Sequence, residues 1–450
     1  MFDTIFRMYD IRGIADSELT DAFTFSLGRA YGTLVRKNKG LEVAVGYDAR
    51  LSSPRLNDAL CDGITSTGVN VISIGMVPTP LLYFSVIHFN LNGGIMITGS
   101  HNPIEYNGFK IMLGERTLYG EDIQILKKMI LNKEFLEGKG KKTTKDFSED
   151  YISKVLSIIY PLKKLKIVID PGNGTGGIIA KKIFNKLGAS IECINCEPDG
   201  RFPAHLPDPT IPEYMESLKQ EVIENKADIG VGYDGDADRI GVIDEKGNIV
   251  WGDKILAIFA KYAIKRFPNS YVIFDVKCSQ GVEEYIESIG GRPVMWKTGH
   301  SLIKAKMKQL NAPLAGEMSG HIFCAGDYYG YDDAIFASAK LYEILSRSDK
   351  TISEMLSEIP AYYSTPEIRL ETSENKKWKI VEDVKNHFSK NFPVIDIDGA
   401  RIKFKDGWGL VRASNTQPVI VARFEAKTPE RLKEIENIVL GYINERKDQL

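Results

Sequence analysis

The sequence predicts an α/β protein of three related units followed by a smaller C-terminal α+β domain. Three observations carry this. A strand–loop–helix–glycine–strand pattern recurs three times. The segment after Pro366 changes to short alternating stretches with Asp-Gly turns. And 450 residues exceed what one hydrophobic core organises.

The first repeat runs as an apolar stretch, residues 41–47, ending at Asp48, then a polar loop, a helical stretch through Leu60, Gly68 and a second strand over 69–74. The second has a strand over 165–169 ending at Asp170, a glycine-rich loop, the helix IIAKKIFNKLG and a strand over 190–194. The third has a strand over 271–274 ending at Asp275, the helix SQGVEEYIESIGG and a strand over 292–296. Gly68, Gly188 and Gly290 stand where a helix ends on a left-handed residue. Strands joined through a helix run parallel. In the C-terminal part, Asp398-Gly399 and Asp406-Gly407 read as hairpin signals, and residues 428–446 as a closing amphipathic helix. Boundaries are expected at the Lys/Gly run near residue 140, near Trp251 and before Pro366, giving domains 1–145, 146–250, 251–365 and 366–450.

Charge is balanced, with 58 basic and 60 acidic residues for a net of −2, so no nucleic-acid or membrane surface is indicated and small molecules are the expected partners. No stretch approaches a membrane span and no charged leader precedes an apolar run, which points to a cytoplasmic protein. Five cysteines do not make a disulfide framework. Cys193 and Cys196 form a CxxC string, but inside a strand read through SIECINC a spacing of three puts them on opposite faces, so no pairing is expected.

Asp234, Asp236 and Asp238 alternate in YDGDADR between two apolar strands. Carboxylates crowded on one turn repel one another and call for a cation, and all-oxygen ligands favour magnesium or calcium over zinc. Glu245 falls where a calcium loop would place its last ligand, but Arg239 stands at the position that such a loop keeps for glycine, so magnesium fits better. Thr98 to Pro103 put Ser100 on a turn with His101 and Lys110 nearby, a hydroxyl that needs a base or a preorganised site to act as nucleophile. Gly172, Gly174 and Gly177 match a dinucleotide fingerprint, which keeps a nicotinamide-dependent oxidoreductase as a rival reading. Glu317, Ser319 and His321 in GEMSGH suit sugar hydroxyls, and Arg412, Ser414, Asn415 and Thr416 in RASNT suit a phosphate. Together these suit phosphoryl transfer on a sugar phosphate at a cleft between domains.

With TGSHNP, DGDADR, GEMSGH and RASNT in this order along nearly the whole length, the chain resembles the α-D-phosphohexomutases, specifically the bacterial-type phosphomannomutase/phosphoglucomutase branch. The resemblance implies three related α/β domains with mixed sheets plus the smaller α+β domain around a central cleft, carrying in turn the catalytic serine, metal, sugar and phosphate loops. It implies phosphorylated Ser100, with Mg2+ held by Asp234, Asp236, Asp238 and a phosphoserine oxygen. His101, Lys110, Arg239, and Arg12 with Tyr9 in YDIRG would line the reacting region. Lys277 and His300 would serve substrate binding or proton transfer, Glu317, Ser319 and His321 the sugar, and Arg412, Ser414, Asn415 and Thr416 the phosphate that does not react. The implied reaction moves phosphate between C1 and C6 of mannose or glucose phosphates through a hexose 1,6-bisphosphate, with glucose 1,6-bisphosphate as activator. The GEMSGH string favours these sugars over glucosamine phosphate, the substrate of the alternative phosphoglucosamine mutase reading. A non-catalytic sugar-phosphate binder is a further alternative, and monomer and dimer both stay open. Departures from the family pattern are small: Gln417 after the phosphate loop, and Ala204 and Leu206 beside His205.

Overall fold

The structure, a computed structural model, describes residues 5–414 and 418–449. The chain forms two compact units, Met1–Gly252 with Ser319–Glu354, and Asp253–Met318 with Met355–Leu450.

The first unit opens with the helix Asp21–Lys37, started by Thr20, whose hydroxyl accepts from the Phe23 N–H at 3.3 Å, and favoured by Asp21 in its first turn and Arg36 and Lys37 in its last. It packs on Ser53–Thr65, and the apolar faces of both cover a mixed sheet. In that sheet Glu42–Tyr47 lies parallel to Asn70–Met76 and to Gly93–Ile97, while Tyr106–Leu113 runs antiparallel to Gly93–Ile97 and to Ile11–Ile14. All of Gly93–Ile97 is buried, as befits an apolar run without alternation in the middle of a sheet.

A second mixed sheet of this unit places Lys166–Asp170 parallel to both Ser190–Cys193 and Ile229–Tyr233, with Ile240–Ile243 antiparallel at the side of Ile229–Tyr233. Gly68, Gly188 and Gly290 adopt φ of 90°, 78° and 84°, the left-handed ends expected of all three repeats. The cysteine expectation fails. The strand stops at Cys193, Asn195 turns the chain at φ 52°, and Cys193 and Cys196 are joined in a disulfide with their Cα atoms 6.0 Å apart. The opposite-face rule holds only while a strand continues.

In the second unit Tyr271–Asp275 lies parallel to Arg292–Trp296 and Leu314–Gly316. An antiparallel sheet is built on Val419–Ala426, Gly407–Ala413 and Ala400–Phe404. The Asp406-Gly407 hairpin forms, with Phe404 opposite Gly407, so that Lys405 and Asp406 make the turn and the glycine begins the next strand. Helices Glu374–Phe388 and Pro429–Gln449 contribute Ile380, Val384, Ile435 and Val439 to the core on this sheet. Among the described residues no helix is long and apolar enough to cross a membrane.

Gly290 has open space around its missing Cβ, so only its backbone angle selects glycine. Gly290→Ala is expected to lower stability by about 1 kcal/mol, the cost of a left-handed L-residue, read as a shift in chemical-denaturation midpoint with an unchanged circular-dichroism spectrum.

Candidate active site

Ser100 sits at the end of Gly93–Ile97 with φ 48° and 2% exposure, its backbone N–H donating to the Thr98 hydroxyl at 2.8 Å. The loop around it is shaped by a buried arginine. Arg50 donates to the carbonyls of Ser100 (2.8 Å), Asn102 (2.5 Å), Pro103 (2.6 Å) and Tyr106 (2.9 Å). Asp48 accepts from the Gly99 N–H at 3.0 Å and the Ser53 hydroxyl at 2.6 Å, and its carboxylate lies 3.4 Å from the Arg50 guanidinium. Arg12, on the strand Ile11–Ile14, donates to Asn102 at 2.6 Å and to Asp10 at 2.7 Å. Tyr9 lies half-buried just before that strand.

The Ser100 hydroxyl donates to Asp234 at 2.7 Å and lies 3.0 Å from His101 Nδ1. Burial first, then Arg239 and Arg12, hold the His101 imidazole well below the ordinary histidine range, so the ring is neutral. Gly235 allows the two loops to meet, since a Cβ there would lie 2.6 Å from the Ser100 carbonyl oxygen.

Asp234, Asp236 and Asp238 are fully buried, and each offers an oxygen within 4.8 Å of the others. Asp234 accepts from the N–H groups of Asp238 and Arg239, each at 3.1 Å, which folds the turn back on its first residue. Lys110, on Tyr106–Leu113, donates to Asp236 at 2.6 Å and to Asp238, and Thr79 donates to Asp236 through its hydroxyl. Burial opposes the Lys110 charge, but the three aspartates outweigh it and hold the ammonium charged. The Asp234 carboxyl goes the other way: burial, then repulsion from Asp238 and Asp236, pushes it well above the usual carboxylate range. Asp236 Oδ1 is buried without a hydrogen-bond partner among the described residues, and an all-oxygen set of this kind fits a magnesium ion. Beside the cluster, His321 Nε2 lies 3.2 Å from Asp238, Arg239 Nε 3.4 Å from that nitrogen, and Ser319 Oγ 3.3 Å from His321 Nδ1.

The second unit gathers another polar set. Its Glu317 accepts from the Gly299 N–H at 2.5 Å, next to His300 at the start of the helix His300–Leu310. Asp275, at the end of its strand, accepts from the Met318 N–H at 3.1 Å and the Thr298 hydroxyl at 2.9 Å. Arg412 is clamped by Asp398 through Nε (3.2 Å) and a terminal nitrogen (3.1 Å), and Lys377 donates to the Ser414 carbonyl at 2.6 Å. Lys277 pairs with Glu367 at 3.4 Å. That lysine brings the Glu367 carboxyl down to about 2 against the opposing effect of burial. Asn415 and Thr416, expected in the phosphate loop, lie outside the described residues.

The motif strings do not contain Arg50, Asp48, Thr79, Asp398 or Glu367. One signal for part of this group was present: Asp48, Asp170 and Asp275 each close a repeat strand, and each accepts from loop backbone. The glycine-rich loop, by contrast, is filled by its own chain. A Cβ on Gly174 would meet the Gly235 oxygen at 2.7 Å, and Thr175 donates to that oxygen from N (3.0 Å) and Oγ1 (3.2 Å). The loop therefore supports the aspartate turn, and this packing gives the glycines a role without a dinucleotide.

Gly235→Ala is expected to cost about 1–3 kcal/mol through the forced backbone shift, with the fold retained, as measured by chemical denaturation. Glu367 contributes stability that is present above its ordinary 4.5 and is lost as pH falls toward about 2. Glu367→Gln should therefore cost about 1–3 kcal/mol at pH 7 and flatten the stability profile across that acid window.

The sequence matches four family profiles in order, described as phosphoglucomutase/phosphomannomutase alpha/beta/alpha domain I over residues 3–137, domain II over 147–247, domain III over 251–363 and C-terminal domain over 367–441. A Pseudomonas aeruginosa protein named phosphomannomutase/phosphoglucomutase is 43% identical over 97% of this chain and 94% of its own length. A Neisseria meningitidis serogroup A phosphoglucomutase is 43% identical over 96% of this chain and 95% of its own. The crystal structure of a phosphoglucomutase/phosphomannomutase family protein from Burkholderia thailandensis superposes with a TM-score of 0.93 at 39% identity, covering 99% of this chain and 98% of that one. With all four profiles matched and such identity sustained along nearly its whole length, the chain belongs to the phosphoglucomutase/phosphomannomutase family.

Proposed function

We infer that this chain moves a phosphoryl group between O1 and O6 of a hexose phosphate by way of Ser100. The observation that supports it most is the Ser100 hydroxyl, 2.7 Å from the buried Asp234 and 3.0 Å from the neutral His101. Phosphorylated Ser100 gives its phosphoryl group to the free hydroxyl of the bound hexose monophosphate, leaving a serine hydroxyl and a hexose 1,6-bisphosphate. The bisphosphate turns around and returns its other phosphoryl group to Ser100, so that the isomer leaves and the phosphoenzyme is restored. Mannose and glucose phosphates are the proposed substrates.

Asp234, Asp236 and Asp238, with an oxygen of phosphorylated Ser100, would hold magnesium, which when bound neutralises charge on the transferring group. Lys110 and Arg239 add fixed positive charge beside it, in surroundings where water screens little. His101 faces Oγ with a neutral ring that can pass a proton to or from the serine oxygen. Arg412 and Ser414 hold the phosphate that does not react, and Glu317 the sugar hydroxyls. Lys277 and His300 contribute charge and proton transfer in the same unit.

Intact mass of the purified protein should show a phosphoryl adduct that maps to Ser100 and grows on incubation with glucose 1,6-bisphosphate. Repeated absence of the adduct would overturn the reading in favour of a non-catalytic binder. Ser100→Ala should lower turnover of glucose 1-phosphate and mannose 1-phosphate by about 10³-fold or more in a coupled assay, and glucosamine 1-phosphate as the best substrate would favour the phosphoglucosamine reading. The phosphorylated protein should bind magnesium about tenfold more tightly than Ser100→Ala in titration calorimetry, because only the former supplies the fourth ligand oxygen.

A further inference from the structure

The pair Cys193 and Cys196 has no part in the reaction, yet its surroundings connect it to both reacting loops. The pair is half-buried, so reagents in solution can reach it. The other three cysteines are poor candidates for exchange: burial pushes the Cys61 and Cys324 thiols up to about 12 and Cys278 well above its ordinary value.

The turn that the disulfide closes is the wall on which the glycine-rich loop folds. The Asn195 carbonyl accepts from the Asn173 N–H at 2.9 Å, and the Asn195 amide donates to Asp170 at 3.1 Å. The Asn173 side chain donates to the Glu197 carbonyl at 2.9 Å, and the Asp199 N–H to the Asn173 carbonyl at 2.9 Å. Gly177 passes so near that a Cβ would meet the Cys196 oxygen at 2.6 Å. From this loop Thr175 reaches Gly235, between Asp234 and Asp236. A few residues on, Gly200 packs on the backbone of Ala49 and Arg50, and the Phe202 ring lies 5.3 Å from the Arg50 guanidinium. That guanidinium gathers the carbonyls of the serine loop. Residues 193–202 thus touch the supports of the aspartate turn and of the serine loop.

We propose that Cys193 and Cys196 are a reversible redox modification site whose disulfide stiffens the backing of the aspartate turn and the serine loop. Formation proceeds by exchange with a low-molecular-weight disulfide. One sulfur–sulfur bond forms in the protein as one breaks in the oxidant, and the two protein thiols pass two electrons and two protons to the two thiols that leave. A dithiol reverses the step. Closing the short loop removes conformations open to the reduced turn, and neighbours that lean on the turn lose mobility with it. The stiffening does not rest on the proposed mutase activity.

The test is hydrogen exchange read by mass spectrometry on the full chain, oxidised with glutathione disulfide or reduced with dithiothreitol, with alkylation to count thiols. Reduction should expose two further thiols in the peptide carrying Cys193 and Cys196, and amides over residues 171–177 and 234–239 should exchange about tenfold faster. Cys193→Ser and Cys196→Ser should each show the fast pattern under both conditions. The proposal is overturned if both thiols stay open to alkylation after glutathione disulfide, if exchange is the same in both redox states, or if either serine variant keeps the redox response. An inactive protein in a parallel mutase assay would count against the Ser100 reading alone, since exchange does not depend on turnover.

Discussion

Three carboxylates buried on one turn need a cation, and Lys110 meets part of that need from within the protein. Removing charges from water costs several kcal/mol per ion, so a buried aspartate turn without compensation would unfold locally or take up protons. Even beside Lys110, burial first and then repulsion from Asp238 and Asp236 hold the Asp234 carboxyl well above the usual carboxylate range. Lys110 lies on the strand that follows directly from the serine loop, with Met96 opposite it on the strand that leads into that loop. The loop that carries Ser100 and the lysine that holds the aspartates are thus parts of one antiparallel pair, and charge compensation and the placement of Ser100 depend on the same register.

What the sequence revealed, it revealed through features that act locally. The three helix-ending glycines were legible because a left-handed residue is a property of a few consecutive positions. The aspartate triplet was legible because like charges at alternating positions conflict whatever the tertiary structure. Arg50 was not, because its partners are main-chain carbonyls some fifty residues away and carbonyls leave no mark in a sequence. Lys110 stood out for its nearness to Ser100, but its partners are aspartates of another sheet. The cysteine pair was misread because the strand read through SIECINC stops three residues early: ending at Cys193, it frees the next three residues to turn.

The glycine-rich loop shows how two functions can share one local pattern. Spacing, preceding strand and following helix all agree with a nucleotide loop. The difference lies in what occupies the concave side of the backbone, which here is Gly235 of the same chain. The repeat units share a simpler device as well. Asp48, Asp170 and Asp275 each fasten loop backbone at the carboxyl end of a parallel strand, where α/β sheets place their ligand loops. A common anchor of this kind leaves the chemistry of each loop to its own residues: the Ser100 hydroxyl near the first repeat, carboxylates beyond the second, and Glu317 near the third.

Arg50 grips carbonyl oxygens and leaves the serine hydroxyl alone. The contacts by which Arg50 shapes the loop therefore do not involve the hydroxyl. In the proposed cycle, a residue that alternates between a bare oxygen and a doubly charged ester would otherwise drag its backbone from one shape to another at every turnover, and each excursion would have to be reversed before the next transfer. With the main chain pinned from behind, the cycle proposed above would use the serine as a fixed post on which a load is hung and removed, and would leave the motion to the sugar.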